Sequence, residues 1–184
     1  MRRRAGHRSG WGLLALAALG VLFYFQNHQK ANDGAAGPPE KVMAARVTEA
    51  PDGDSLVVKT KAGREHRVRL YGLDAPEGRQ AHGAEAARFL AELVKGRDIV
   101  LKVMDTDSYG RLVALASLEE GETVNRRLIA AGLAWVYTAY CRLPECALWR
   151  EDEAGAREGR RGLWQDPDPM PPWEFRMKFG ARGR

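Results

Sequence analysis

Residues 41–71 read KVMAARVTEAPDGDSLVVKTKAGREHRVRLY, and the fold turns on how that stretch divides. Two turn signals cut it into three strands. The first, over 42–48, ends at Pro51-Asp52-Gly53-Asp54; the second, over 55–59, ends at Lys61-Ala62-Gly63; the third runs over 64–71. In Arg67-Val68-Arg69-Leu70 the period of two puts Val68 and Leu70 on one face and both arginines on the other.

Downstream, Ala87, Leu90, Ala91 and Val94 recur at helical spacing over 84–95 and stop at Gly96, a C-cap signal. Two further strands, over 99–103 and 112–116, flank the turn at 105–110. Helices are expected over 123–131, closed by Gly132, and over 145–160. Three strands, a helix, two strands and two helices make an α+β chain. Its five short antiparallel strands fit a small Greek-key barrel of the OB-fold type.

The chain has 29 Lys+Arg against 24 Asp+Glu. Residues 1–30 hold Arg2, Arg3, Arg4, Arg8 and Lys30 and no acid, so the whole excess of +5 is theirs and residues 31–184 balance at zero. The basic balance is therefore no footprint of a nucleic-acid surface. After that leader, about 150 residues make one domain with a single core. An apolar share of 45% excludes a disordered chain. Two cysteines exclude a disulfide-built scaffold and a four-thiolate zinc site.

Residues 11–25, WGLLALAALGVLFYF, carry no charge. A membrane span needs about 20 apolar residues and a signal-peptide core about 7–15. The bulky Val21-Leu22-Phe23-Tyr24-Phe25 is no small-residue cleavage site, which favours an uncleaved anchor over a cleaved signal. With the arginines inside, the anchor places the domain on the extracytoplasmic side of a bacterial inner membrane; cleavage would leave it secreted or periplasmic. The chain then divides into an anchor at 1–30, a linker at 31–40, a barrel domain at 41–166 and a proline-rich, basic tail at 167–184. Residues 166–173 are too rich in proline for a strand or helix, and Trp173 is expected to anchor the tail on the domain.

Three short stretches carry charge at turn positions: Asp52-Gly53-Asp54, Arg69-Leu-Tyr-Gly-Leu-Asp74-Ala-Pro-Glu77 and Asp107-Ser-Tyr109-Gly110-Arg111. Each alone reads as an ordinary turn. Together they supply two carboxylates, Asp54 and Asp74, for a hard cation that prefers oxygen ligands. Arg69 and Arg111 are planar, permanently charged forks for phosphate oxygens. Glu77 is a third carboxylate able to orient or deprotonate a water. Phosphodiester hydrolysis needs this set: charge neutralisation at phosphorus, a placed water and a polarising metal.

At these residues the chain resembles the staphylococcal nuclease (thermonuclease) family. The matching pieces are the three stretches above and Asn125-Arg-Arg-Leu-Ile-Ala-Ala-Gly-Leu-Ala134, in family order, over roughly residues 41–165 through Arg160-Arg-Gly-Leu-Trp164. The resemblance implies the five-stranded barrel and a monomeric enzyme that cleaves DNA and RNA with Ca2+, leaving 3′-phosphate ends. It implies that Asp54, Asp74 and the backbone carbonyl of Ala75 hold the metal, a set that Mg2+ or Mn2+ would also accept. Arg69 and Arg111 would bind phosphate, Glu77 would act as general base or water-positioner, and Tyr109 and Tyr140 would line the nucleotide pocket. Three departures stand out. Ser108 replaces a lysine, the loop at 78–83 is short, and Thr138 replaces an aromatic, which weakens base stacking.

Outside the cytoplasm, Cys141 and Cys146 would form a small-loop disulfide. His66 and His82 lack a companion at ligand spacing. Arg157, Arg160 and Arg161 read as a solvated helix end, and Trp135-Val136-Tyr137 as core rather than a nucleobase platform. The rival reading is a non-catalytic nucleic-acid-binding barrel of the envelope, which would have no reason to keep three carboxylates that repel phosphate. A third is an envelope structural module whose site is vestigial.

Overall fold

The three-strand reading of residues 41–71 holds to within a residue: β1 spans Lys41–Glu49, β2 Ser55–Thr60 and β3 Glu65–Leu70. A computed structural model describes residues 41–118 and 121–180, so the expected anchor at 1–30 and linker at 31–40 lie outside the described residues. Among those described, no helix is long and apolar enough to cross a membrane.

After β3 come β4 (Leu73–Asp74), α1 (Gly83–Val94), β5 (Asp98–Thr106) and β6 (Leu112–Ser117). They are followed by α2 (Val124–Ala130), β7 (Trp135–Val136), α3 (Glu145–Glu158), a 3₁₀ turn (Gly162–Gln165) and α4 (Pro172–Phe179). Five strands close into a barrel in the order β1-β2-β3-β6-β5, while β4 and β7 form a small antiparallel pair beside it. Register shifts at Val47/Glu49 and at Val103/Asp105 bend β1 and β5, the local twist that closure requires.

The expectation that every barrel strand runs antiparallel fails at one seam. β3 and β6 pair parallel, Val68 opposite Leu112 and Leu70 opposite Ala114. A parallel pair needs a long crossover, and the chain supplies one through α1 and β5.

Val68 and Leu70 point into the barrel with Leu56, Val58 and Leu101, and Leu90 and Val94 of α1 and Leu128 and Ile129 of α2 extend the same core. Thr123 caps α2, its hydroxyl accepting the Arg126 N–H at 3.3 Å. Asn125 is fully buried. Its Oδ1 accepts the Ala116 N–H at 3.0 Å, and its Nδ2 donates to the carbonyls of Tyr71 at 2.9 Å and Ala114 at 3.5 Å. One side chain thereby ties α2 to β6 and to the exit of β3, where the site begins.

Cys141 and Cys146 are bonded, with Cα atoms 5.8 Å apart. A second cluster of Trp135, Ala156, Leu163 and Trp164 lies under the C-terminal segment. Arg157 is more than a solvated helix end: its guanidinium sits 3.9 Å above the Trp164 ring while it pairs with Glu153. The tail also corrects its expectation. Trp173 packs on the second cluster as foreseen, yet α4 begins at Pro172, inside the proline-rich run. Proline in a first helical turn lacks only an N–H that would have no partner there.

Asn125→Ala removes the partners of the Ala116 amide and the Tyr71 carbonyl at once. Each buried group left unpaired costs about 1–3 kcal/mol, so urea unfolding should show a loss of at least about 2 kcal/mol with the slope unchanged.

Candidate active site

Asp52-Gly53-Asp54 forms the turn into β2. The Asp54 N–H donates to Asp52 Oδ1 at 3.1 Å. At Gly53 a Cβ would fall 2.7 Å from the Cβ atoms of Ala75 and of Ala86, so only glycine lets the turn press against the loop after β4 and against α1. In the β2–β3 register Ser55 faces Arg69, and the Leu70 N–H donates to the Asp54 carbonyl at 2.9 Å. Arg69 is thus delivered beside Asp54. The chain then reverses through Gly72, whose φ of 72° favours glycine, and β4 brings Asp74 back to the same place. Because Leu112 pairs with Val68, Arg111 arrives at this edge as well.

The resulting contacts are ionic and largely out of solvent. Arg69 Nη2 donates to Asp74 Oδ1 at 2.6 Å and to the Leu73 carbonyl at 3.3 Å, and its Nη1 is ion-paired with Asp54 Oδ2. The Ala75 N–H donates to that same Asp54 oxygen at 3.0 Å. The Asp74 side chain has 0% exposure and that of Arg69 16%. Burial pulls the Arg69 guanidinium below its ordinary pKa, against the attraction of Asp74.

Arg111 is fixed differently. Its Nε donates to Asp107 Oδ2 at 2.7 Å, while Asp107 Oδ1 accepts the N–H groups of Tyr109 and Arg111, both at 2.9 Å. Burial tends to raise the Asp107 carboxyl. The amides of Arg111 and Tyr109 and the guanidinium of Arg111 outweigh it and hold the group below the usual carboxylate range.

Glu77 stands at the start of the short loop. Its N–H donates to Gln80 Oε1 at 3.2 Å, and its carbonyl accepts the Gln80 N–H at 2.7 Å. Tyr109 and Tyr140 are 71% and 63% exposed. Asp54, Arg69, Asp74, Ala75, Glu77, Tyr109, Arg111 and Tyr140 all line one cleft of about 920 Å³. The cleft thus brings these eight residues together, while Cys141 and Cys146 are bonded to each other next to its Tyr140 wall.

A family model described as "Staphylococcal nuclease homologue" matches residues 67–166. The chain belongs to the staphylococcal nuclease family. Over 133 residues it is 35% identical to an Escherichia coli protein named "Uncharacterized endonuclease", covering 72% of this chain and 84% of that protein. It is 34% identical over 178 residues to "Protein ParB" of Escherichia coli, covering 92% of this chain and 93% of that one. A match of 36% over 151 residues to "Probable staphylococcal-like nuclease CAN1" of Oryza sativa subsp. japonica takes in 82% of this chain but 42% of the rice protein. The chain is a nuclease, a hydrolase whose substrate is nucleic acid.

Two features of this nuclease escape the sequence reading. Tyr137 is not core: it is half-buried on the cleft wall, stacked on Trp173 at 5.2 Å with an interplanar angle of 4°. Arg176, in α4, enters the cleft and donates to Asp74 and Glu77. The available signal is Trp173 and Arg176 spaced three apart after a helix-starting proline, which puts both on one helix face.

Do these residues fit a metal? Among the described residues no group of three or more His, Cys, Asp and Glu side chains gathers as a metal centre. Asp54 and Asp74 nevertheless converge on one cation, the Arg69 guanidinium, and offer only oxygen donors. That chemistry fits a hard dication that keeps part of its water.

Asp107 also gives the fold an acid-side pH dependence. Its folded pKa is depressed, so its stabilisation is present above its unfolded value of about 3.9 and is lost as pH falls through the folded one. Asp107→Asn should flatten that acid limb in pH-dependent thermal unfolding. It should also lower nuclease activity at neutral pH by releasing Arg111.

Proposed function

We propose that this nuclease cleaves DNA and RNA with Ca2+, leaving 3′-phosphate ends, and acts on the extracytoplasmic side of the membrane. The observation that carries the reading is the meeting of Asp54, Asp74, Glu77, Arg69 and Arg111 in one cleft.

Asp54, Asp74 and the carbonyl of Ala75 would hold the cation. When bound, it supplies Lewis acidity to a phosphoryl oxygen. Mg2+ and Mn2+ share the preference for oxygen donors, so Ca2+ rests on the family resemblance rather than on the donor set. Glu77 orients the attacking water and takes its proton as the water oxygen bonds to phosphorus. The P–O5′ bond then breaks, the leaving oxygen takes a proton from solvent, and the phosphate stays on the 3′ end. Arg69 and Arg111 donate to the non-bridging oxygens as negative charge builds there. Tyr109 and Tyr140, exposed at the cleft mouth, offer ring faces to bases, each stack worth about 1–3 kcal/mol.

A purely binding barrel fits less well, since three carboxylates in the cleft repel phosphate unless a cation intervenes. The extracytoplasmic placement is supported by the arginine-flanked uncharged run at 11–25 and by the Cys141–Cys146 bond.

The test is cleavage of single- and double-stranded DNA and of RNA by the full chain with Ca2+, with Mg2+ and with chelator, followed by end-group analysis. Activity is expected with Ca2+, with 3′-phosphate products, and none with chelator. Arg111→Ala should lower the rate about 10²–10³-fold. Chelator-resistant cleavage, or an undiminished Arg111→Ala variant, would overturn the mechanism. Protease accessibility of the domain in intact spheroplasts checks its side of the membrane.

A further inference from the structure

We propose that Arg176 is a resident cation of the active site, delivered by α4, which occupies Asp74 and Glu77 and sets the affinity of the site for divalent metal. The proposal rests on the reading of Asp54 and Asp74 as cation ligands.

Arg176 Nη2 lies 2.7 Å from Asp74 Oδ2 and Nη1 lies 3.2 Å from Asp74 Oδ1, the two-pronged match of guanidinium to carboxylate. The same Nη1 donates to Glu77 Oε1 at 2.8 Å. Arg69 holds Asp74 from the other side, so both oxygens of this fully buried carboxylate are engaged by arginine.

The placement is built into the fold. Trp173 stacks face to face on Tyr137 and meets the Trp135 ring edge-on at 5.7 Å. Upstream, Gln80 Nε2 donates to the Met170 carbonyl at 2.5 Å, bolting the Glu77 loop to the segment that leads into α4. Trp173 is thus the anchor, and Arg176, one helical turn on, is aimed by it at the two carboxylates.

Arg176 and a dication are drawn to the same oxygens and repel one another. Metal binding therefore requires the guanidinium to give up Asp74, and the apparent affinity falls by the fraction of molecules in which α4 is docked. Phosphate oxygens accept the same fork geometry, so an incoming nucleic acid offers Arg176 a new partner at the moment it leaves the old one.

The test is calorimetric titration of CaCl₂ into the detergent-solubilised full chain without nucleic acid, so that the readout is binding and not turnover. Arg176→Gln should bind Ca2+ about tenfold tighter or more, the gain for a docked fraction of about nine-tenths. Trp173→Ala, which unfastens α4 while keeping the arginine, should shift affinity the same way. Arg176→Lys should fall between wild type and Arg176→Gln. Lys178→Gln, which removes a neighbouring charge of α4, should match wild type. Unchanged or weaker binding by both Arg176→Gln and Trp173→Ala overturns the proposal, as does an equal gain in Lys178→Gln, which would make the effect one of net charge. Asp54→Asn separates the two readings. If it abolishes binding while Arg176→Gln changes nothing, only the role of Arg176 fails; if it binds as wild type does, the cation site itself is misassigned and the proposal falls with it.

Discussion

Arg69 sets its guanidinium between Asp54 and Asp74 with little of the three side chains left in water. Burying any one of these charges alone would cost several kcal/mol, and removing one partner of a buried set typically costs about 3–5 kcal/mol because the others are left uncompensated. The three are therefore held by mutual necessity as well as by the backbone. The planar fork of arginine reaches both carboxylates and the Leu73 carbonyl together, which the point charge of a lysine would not do.

That triad imposes conditions on the barrel. Asp54 must end the turn before β2, Arg69 must face Ser55 across the β2–β3 ladder, and Asp74 must return within five residues of Arg69. A one-residue slip of β3 would send Arg69 into the core and Val68 or Leu70 into the cleft. The apolar face of β3 and the two-residue β4 thus fix the same register from opposite sides. The parallel β3–β6 seam adds Arg111 to the edge, and Asn125 clamps the exit of β3 against β6.

What was legible in the sequence follows from what is local. Alternation in β3, the turn at Asp52-Gly53-Asp54 and helical spacing over 84–95 are short-range patterns, and the strands and α1 follow from them; the pairing of Arg69 with Asp54 and Asp74 does not, since in the sequence Arg69 reads as a fork for phosphate. The carboxylates and arginines could be grouped because they lie at strand ends, where turn chemistry marks them. The parallel seam was not legible, since strand direction depends on how the crossover packs and not on the residues of β3 or β6. Nor was α4, because a proline-rich run reads as a helix breaker, whereas Pro172 stands in a first turn, where its missing N–H costs nothing. Arg176 acts about a hundred residues from its partners, and nothing in its neighbourhood signals a carboxylate; Tyr137 reads as core because the ring that covers it, Trp173, belongs to the same distant segment. The match to the family model stops at residue 166, short of both Trp173 and Arg176.

A domain whose charges balance has little long-range field with which to gather a polyanion. Three of its cleft arginines are instead committed to its own acids: Arg69 to Asp54 and Asp74, Arg111 to Asp107, Arg176 to Asp74 and Glu77. A phosphate arriving alone must compete with carboxylates for those donors, and a dication arriving alone must compete with guanidinium groups for those carboxylates. A phosphate and a dication arriving together would, on the proposed reading, each satisfy the groups that the other displaces, so exchange of internal ion pairs would make each ligand raise the affinity of the other by the same factor. On the proposed reading, the balance of charge that makes the domain a poor magnet for nucleic acid is what couples its metal to its substrate.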